Sequence, residues 1–133
     1  MYLVDTNVWL ERFLDQARAE EVGDFLNRTP SDQLCITDFA FHSIGIVLGR
    51  LNKAQAFLQF VQDAFLDGAV SLIRLEPEDM QRVVGIMAEY HLDFDDAYPY
   101  AAAEKHRLTL VSFDADFDRT PLGRKTPAEM FPS

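Results

Sequence analysis

The sequence has almost no cysteine, no long apolar run and few basic residues. Cys35 is the only cysteine among the 133 residues, which excludes an internal disulfide and a CxxC metal or redox motif. No apolar stretch approaches the roughly 18 residues that suggest a membrane-spanning helix. Met1 leads directly into a strand-like segment, with no signal-peptide pattern before it. We therefore expect a protein of the reducing cytoplasm that makes no membrane contact.

Acidic residues outnumber basic ones. The chain has 22 Asp and Glu against 12 Lys and Arg, which gives a formal net charge of −10 at pH 7. Such a surface repels polyanions on average, and this argues against a protein that coats nucleic acid nonspecifically. Clustered carboxylates can nevertheless hold divalent cations that reverse the local field. The charge is therefore compatible with a nucleic-acid enzyme and also with a basic protein partner.

The apolar residues predict a packed α/β fold. They make up 48% of the sequence, including 11 phenylalanines, and a chain of this length fits a single domain over residues 1–133. Short apolar segments typical of strands alternate with longer segments of helical periodicity, which predicts βαβ units and a mostly parallel sheet. The predicted strands lie at 2–4, 34–36, 72–75 and 108–111.

Two of these strands are followed by aspartate. Asp5 follows the first strand and Asp114 follows the fourth, and the carboxyl ends of parallel strands lie at one edge of a sheet, where open α/β folds bind ligands. A helix is expected to begin near Asp95 or Asp96, because Pro99 is tolerated only in a first turn. The sequence thus predicts an acidic edge. The structural alternative is that acids such as Asp5 only cap the helices that follow them.

Carboxylates gathered at one edge favour a bound cation. Three of them within a few ångströms repel one another, and the pKa of each rises unless a positive charge joins them. Oxygen ligands without sulfur or several histidines suit Mg²⁺ or Mn²⁺. A metal held in this way lowers the pKa of bound water and stabilises charge during phosphoryl displacement.

Two segments carry a resemblance to a known family: YLVDTNVWLE at the amino terminus, and DDAYPYAAAEKHRLTLVSFDADF near the carboxyl terminus. With these segments, and the lengths between them, the chain resembles the PIN domains, in particular the small VapC-like toxin ribonucleases. The resemblance implies a three-layer α/β/α sandwich with a central sheet of four or five short strands. It also implies a metal-dependent endoribonuclease, an RNA substrate, an antitoxin partner and a homodimer.

Position by position, Asp5, Asp96 and Asp114 match the family's first, third and fourth acids. By resemblance, these three would hold Mg²⁺ or Mn²⁺ and carry catalysis. Further polar or acidic side chains are candidates to support them, namely Asn7, Asp95, Ser112 and Asp116.

One family residue is missing. The second acid of the family is usually a glutamate early in the helix after the second strand, but this segment reads TDFAFHS and has none. His42 falls closest to that position and is either a catalytic or metal-binding residue or a hydrogen-bonded histidine in a buried helix. Asp38 is predicted to cap the helix, and Asp95 is another candidate replacement. The missing glutamate motivates a second hypothesis, a catalytically impaired PIN-like module that binds RNA or protein.

Overall fold

The protein is described from a computed structural model, which defines residues 1–131; residues 132 and 133 of the predicted domain lie outside the described part. Four parallel strands form one sheet in the order β3-β2-β1-β4. This confirms the predicted central sheet. The strands are β1 (Tyr2–Val4), β2 (Leu34–Thr37), β3 (Ser71–Ile73) and β4 (Thr109–Val111).

Helices cover both faces of this sheet, and the described residues form the predicted three-layer α/β/α sandwich. In chain order the helices are α1 (Thr6–Phe13), α2 (Ala19–Arg28), α3 (Asp38–Arg50), α4 (Ala54–Val61), α5 (Met80–Tyr90), α6 (Phe94–His106) and α7 (Pro127–Met130). None of the helices described is long and apolar enough to cross a membrane.

Alternate residues of each central strand enter different cores. Leu3 and Leu110 lie with the apolar residues of α5 and α6, whereas Val4 and Val111 lie with those of α1 to α4. Successive side chains of a strand point to opposite faces, and here both faces are covered. This explains why the strands are apolar throughout instead of alternating between apolar and polar residues.

The third strand is shorter than predicted because Tyr98 takes the place of a strand partner. The buried N–H of Leu75 donates to the Tyr98 hydroxyl at 3.0 Å, and that hydroxyl donates to Asp38 Oδ1 at 2.9 Å. Leu75 therefore lies outside β3, although its apolar side chain resembles a strand residue. The bond ties the edge of the sheet to α6.

Tyr98→Phe should destabilise the protein by about 1–3 kcal/mol, because it leaves the buried Leu75 N–H without its acceptor. Urea denaturation monitored by circular dichroism measures this loss. Tyr2→Phe is the matched control, since the Tyr2 side chain makes no hydrogen bond within residues 1–131 and its loss of a hydroxyl should change stability little. Equal stability of the two variants would contradict this account.

Sheet order places the two strands that end in aspartate side by side. β1 and β4 are adjacent, with Val4 opposite Val111. The Asp5 N–H continues the pairing by donating to Val111 O at 2.9 Å. The residues after these strands therefore leave the same edge next to one another, as predicted from a parallel sheet.

Candidate active site

Asp5 lies where β1 gives way to α1. Its Oδ1 accepts the Thr6 N–H at 2.9 Å, so it caps the helix. Its Oδ2 accepts the Ser112 hydroxyl at 2.8 Å and the Asn7 side-chain amide at 3.5 Å. Burial raises the pKa of Asp5; these hydrogen bonds from Ser112 and Thr6 oppose the rise, and repulsion from Asp114 adds to it. Asp5 therefore caps α1 and at the same time belongs to the acidic site.

Ser112 and Asn7 join the two strand ends. The Ser112 hydroxyl accepts the Asn7 amide at 3.2 Å and the Asp114 N–H at 3.0 Å while donating to Asp5. Asn7 Oδ1 in turn accepts the Phe113 N–H at 3.1 Å. Ser112 is fully buried, so its hydroxyl has a fixed set of partners. The two residues orient Asp5 and Asp114 relative to each other.

The segment after β4 presents two further carboxylates. Asp114 precedes a short 3₁₀ turn at Ala115–Arg119, and its Oδ1 accepts the Asp116 N–H at 2.9 Å. Asp116 is exposed and pairs with Arg119 at 3.3 Å. Arg119 also donates to His91 O at 2.8 Å. The turn therefore places Asp116 next to Asp114. The end of strand β4 alone does not determine this position.

Asp96 arrives from a different layer, in the first turn of α6. Burial, repulsion from Asp114 and Asp93, a hydrogen bond with Asp114 and the charge of Asp5 raise the pKa of Asp96 to about 8. A raised pKa favours the protonated form of the Asp96 carboxyl group, which can then donate to Asp114. A carboxyl group kept protonated by neighbouring carboxylates is typical of a functional site.

Three acids come close enough to share one cation. Asp96, Asp114 and Asp116 each offer an oxygen, and these atoms lie within 4.8 Å of one another. Among the described residues, this group contains no histidine or thiol, and such an all-oxygen set suits Mg²⁺ or Mn²⁺. Burial and repulsion from Asp114, Asp93 and Asp5 raise the pKa of Asp96, and a divalent cation would relieve this repulsion.

A family model for the PIN domain matches residues 2–122, nearly the whole chain. The chain belongs to the PIN domain family. Curated protein sequences give no match.

Solved structures share this PIN fold across almost their whole length. A toxin–antitoxin complex from Klebsiella pneumoniae is 24% identical, with a TM-score of 0.77 and coverage of 96% of this chain and 98% of that one. VapC20 of Mycobacterium tuberculosis, described as a sarcin-ricin loop cleaving toxin, is 17% identical, with a TM-score of 0.75 and coverage of 89% and 93%. FitAcB of Neisseria gonorrhoeae is 20% identical, with a TM-score of 0.74 and coverage of 96% and 98%.

The helix α3 departs from the sequence-based expectations for this PIN domain. Thr37, not Asp38, is its N-cap, because the Thr37 hydroxyl accepts the Ala40 N–H at 3.0 Å. Asp38 is instead the first helical residue and is bonded to Tyr98. His42 is exposed, so the alternative of a histidine in a buried helix is wrong. It lines a neighbouring cleft with Asp38 and is not among the residues lining the cleft of Asp5 and Asp96.

Ser43 is the α3 residue that sequence reasoning missed. With Phe39 it lines the cleft that contains Asp5, Asn7, Asp95 and Asp96. Successive helical residues point about 100° apart, so His42 and Ser43 face different clefts. Spacing along the sequence could not show which of the two faces the acids, because that depends on the orientation of α3. The exposed Asp95 lines the same cleft, but Asp116 and not Asp95 completes the close group of three acids.

The helix of Asp96 begins earlier than predicted. It starts at Phe94 and is capped by Asp93, whose Oδ1 accepts the Asp96 N–H at 3.0 Å. The predicted start near Asp95 or Asp96 was one residue late, because the prediction placed Pro99 in the first turn. Pro99 lies inside the helix. The capping bond fixes Asp96 within the first turn of the helix.

Ser112→Ala should destabilise this PIN domain by about 1–3 kcal/mol, because the variant leaves polar groups of Asn7 and Asp114 without their partner. It should also raise the pKa of Asp5 further, since the hydroxyl that favours its charged form is gone. Denaturation and carboxyl NMR titration measure the two effects. Ser31→Ala, at an exposed hydrogen bond to the Ala69 N–H, is the control and should leave the Asp5 titration unchanged.

Proposed function

We propose that this PIN domain is a metal-dependent endoribonuclease that cleaves RNA phosphodiester bonds. The observation that carries the proposal is the set of three carboxylates, from Asp96, Asp114 and Asp116, whose oxygens lie within 4.8 Å. Asp5 stands beside them, close enough for its charge to raise the pKa of Asp96. Family membership supports the reaction class, because PIN domains are generally nucleases.

Mg²⁺ or Mn²⁺, when bound, would supply activation of a water and stabilisation of charge on the scissile phosphate. The protein's own residues prepare the site for it. Asp96, Asp114 and Asp116 would provide the oxygen ligands, and Asp5 would add negative charge at their side. Ser112 orients Asp5 and Asp114 through hydrogen bonds at 2.8 and 3.0 Å. Rigid placement of this kind is what electrostatic catalysis requires.

The basic residues nearest the acids are engaged by the protein itself. Arg119 pairs with Asp116, and Arg124 pairs with Asp118 at 3.1 Å while donating to Ser112 O at 3.2 Å. These pairs neutralise part of the acidic loop and hold it in place. Attraction of an RNA phosphate to this edge would therefore depend mainly on the divalent cation, given the net charge of −10.

The same proposal includes a role as the toxin of a toxin–antitoxin pair, with an antitoxin partner and a homodimer. It is supported by the fold shared with the Klebsiella toxin–antitoxin complex and with VapC20. Large apolar side chains are also exposed on α4 and the turn that follows, including Leu58 and Leu66, and apolar surface of this kind suits a protein partner.

Incubation of the purified protein with a panel of RNAs in Mg²⁺, Mn²⁺ or EDTA tests the nuclease proposal. Cleavage should require the divalent ion and should be lost in Asp114→Asn. Asp24→Asn, at an exposed acid of α2 paired with Arg28, is the matched control and should cleave normally. Metal-dependent cleavage that persists in Asp114→Asn would reject the mechanism.

One observation favours a second candidate, a PIN domain that binds RNA or protein without cutting. The residue closest to the family glutamate, His42, lines a different cleft from Asp5 and Asp96. Calorimetric titration with Mn²⁺ separates the two candidates. A binding-only module should take up Mn²⁺ weakly or not at all, whereas the nuclease should bind it through the three clustered carboxylates.

A further inference from the structure

A second cleft adjoins the acidic site. It has a volume of about 430 Å³ and is lined by Asp38, Phe39, His42 and Tyr98. Phe39 also lines the cleft of Asp5 and Asp96, so the two clefts share a wall. The volume is within the range of sites that take a drug-sized or cofactor-sized ligand. A substrate held at the acids would therefore place its neighbouring group here.

The two aromatic residues that line this cleft, Phe39 and Tyr98, pack against each other and against Phe94. The Phe39 ring lies 5.7 Å from that of Tyr98 and 6.4 Å from that of Phe94, and Phe94 lies 6.0 Å from Tyr98. Phe94, the first residue of α6, is 40% exposed. Its ring packs on Phe39 and Tyr98 without lining the cleft itself, and so extends their aromatic surface toward solvent.

Besides the Tyr98 hydroxyl, the polar groups of the cleft are the carboxylate of Asp38 and the imidazole of His42. Asp38 Oδ1 already accepts the Phe39 N–H at 2.8 Å and the Tyr98 hydroxyl at 2.9 Å. Within residues 1–131, no group donates to Asp38 Oδ2. His42, one helical turn further along α3, is exposed at the same cleft. The cleft therefore combines aromatic faces with an anionic acceptor that has capacity left.

We propose that this cleft binds an unpaired guanine base of the RNA substrate, next to the phosphate held at the acids. Bases of single-stranded RNA stack on aromatic side chains and are read through hydrogen bonds to their exposed edges. The inference rests on the proposed ribonuclease function, and a guanine bound in this cleft would determine where the RNA is cut.

The carboxylate of Asp38 selects guanine over the other bases. Guanine presents two adjacent N–H donors, at N1 and N2, along one edge, and both can converge on the single oxygen Oδ2, because Oδ1 is occupied by the Phe39 N–H and the Tyr98 hydroxyl. Adenine and cytosine place an acceptor nitrogen beside the amino group, and uracil flanks its single N–H with two carbonyl oxygens, so each turns negative charge toward the carboxylate. A buried or half-buried polar group discriminates strongly when the wrong partner leaves it unpaired.

Mapping of cleavage sites tests the proposal. The protein is incubated with Mn²⁺ and a pool of single-stranded RNAs of random sequence, and the cut positions are determined by sequencing. Guanine should be enriched at one fixed position relative to the cut. Cleavage without such enrichment would overturn the guanine subsite while leaving the nuclease proposal intact.

Two variants separate the polar and aromatic contributions. Asp38→Asn keeps an oxygen for the Phe39 N–H and the Tyr98 hydroxyl but replaces Oδ2 by an N–H donor, so it should abolish the guanine preference with cleavage retained. Phe94→Ala should raise KM about tenfold or more with kcat little changed, the scale of base stacking. Val84→Ala, an exposed apolar truncation on α5, is the control. Unchanged cut sites and KM in both variants would overturn the proposal.

A binding measurement is independent of cleavage and of metal. Guanosine, which carries no phosphate, is titrated into the metal-free protein while the imidazole NMR signals of its three histidines are followed at fixed pH. His42 should shift with guanosine and not with uridine, and the shift should vanish in Asp38→Asn. If His42 shifts but no RNA is cut, the base site stands and the nuclease function fails. No shift with guanosine would reject the site.

Discussion

Asp96→Asn should lower RNA cleavage by at least ~100-fold and at the same time stabilise the metal-free protein. The loss follows because the variant removes a carboxylate from the close group with Asp114 and Asp116, and even changes around metal ligands cost about 10- to 100-fold. The gain follows because burial and the neighbouring acids raise the pKa of Asp96 to about 8, so its charged form is disfavoured in the folded protein. An amide at this position carries no charge to repel. The gain should be on the order of 1 kcal/mol at pH 8, after allowance for partial exposure.

Opposite changes in activity and stability distinguish this account from simple misfolding. Cleavage is measured with Mn²⁺ in excess, and stability by urea denaturation in EDTA at about pH 8, above the ordinary aspartate pKa. Asp24→Asn is again the control and should change neither quantity by much, because its exposed pair with Arg28 is worth little. An Asp96→Asn protein that is both inactive and less stable would contradict the electrostatic reasoning.

Sequence patterns were sufficient to predict the parallel α/β sheet and the edge that carries the acids, whereas the three layers were implied by the family resemblance. The two pattern-based results have a direct physical cause: apolar strand segments that alternate with helices, and aspartates directly after the parallel strands β1 and β4. Asp5 and Asp114 are placed by strand order alone. Asp96 required the additional knowledge that its helix precedes a strand, and therefore begins near the same edge.

Details that depend on rotation about a helix, or on a turn, could not be predicted in this way. Sequence spacing favoured His42, but the rotation of α3 places Ser43 at the acidic cleft and His42 at the neighbouring one. Asp116 joins the close acids because a 3₁₀ turn, capped by Asp114, folds it back. Neither orientation has a periodic signal in the sequence, since each depends on contacts with distant residues.

At the acidic site, the arrangement expected for function conflicts with stability, because it brings several carboxylates close together. Hydrogen bonds with Ser112 and Asn7 hold Asp5 and Asp114 together, although burial, with repulsion between the acids added to it, raises the pKa of Asp5 and of Asp96. A sequence selected only for stability would not gather them. Conflicts of this kind are expected at functional sites, and here the conflict predicts how stability depends on pH.

Without metal, the free energy of unfolding should fall as pH rises from about 5 to about 8. Asp96 has a pKa of about 8 in the folded protein and about 3.9 when unfolded, so between these values the folded state binds more protons. The contribution is fully present below the unfolded pKa and is lost as pH rises through the folded one. Asp5, whose pKa is also raised, acts in the same direction. Asp79 and Glu104 have lysine and arginine partners that lower their pKa. Their contribution to the free energy of unfolding is therefore lost only at more acidic pH.

Divalent metal should cancel this trend, because it binds the deprotonated acids and releases the proton that the metal-free folded state holds. In Mn²⁺ the stabilisation over EDTA should grow between about pH 6 and pH 8, by as much as ~1.4 kcal/mol per pH unit for one proton released. Urea denaturation across this range measures both curves, and calorimetry in buffers of different ionisation enthalpy counts the proton. In Asp96→Asn both slopes should flatten. A metal-free protein that becomes more stable from pH 5 to pH 8 would show that the acids are not crowded, and the structural case for a metal site at this edge would fail with it.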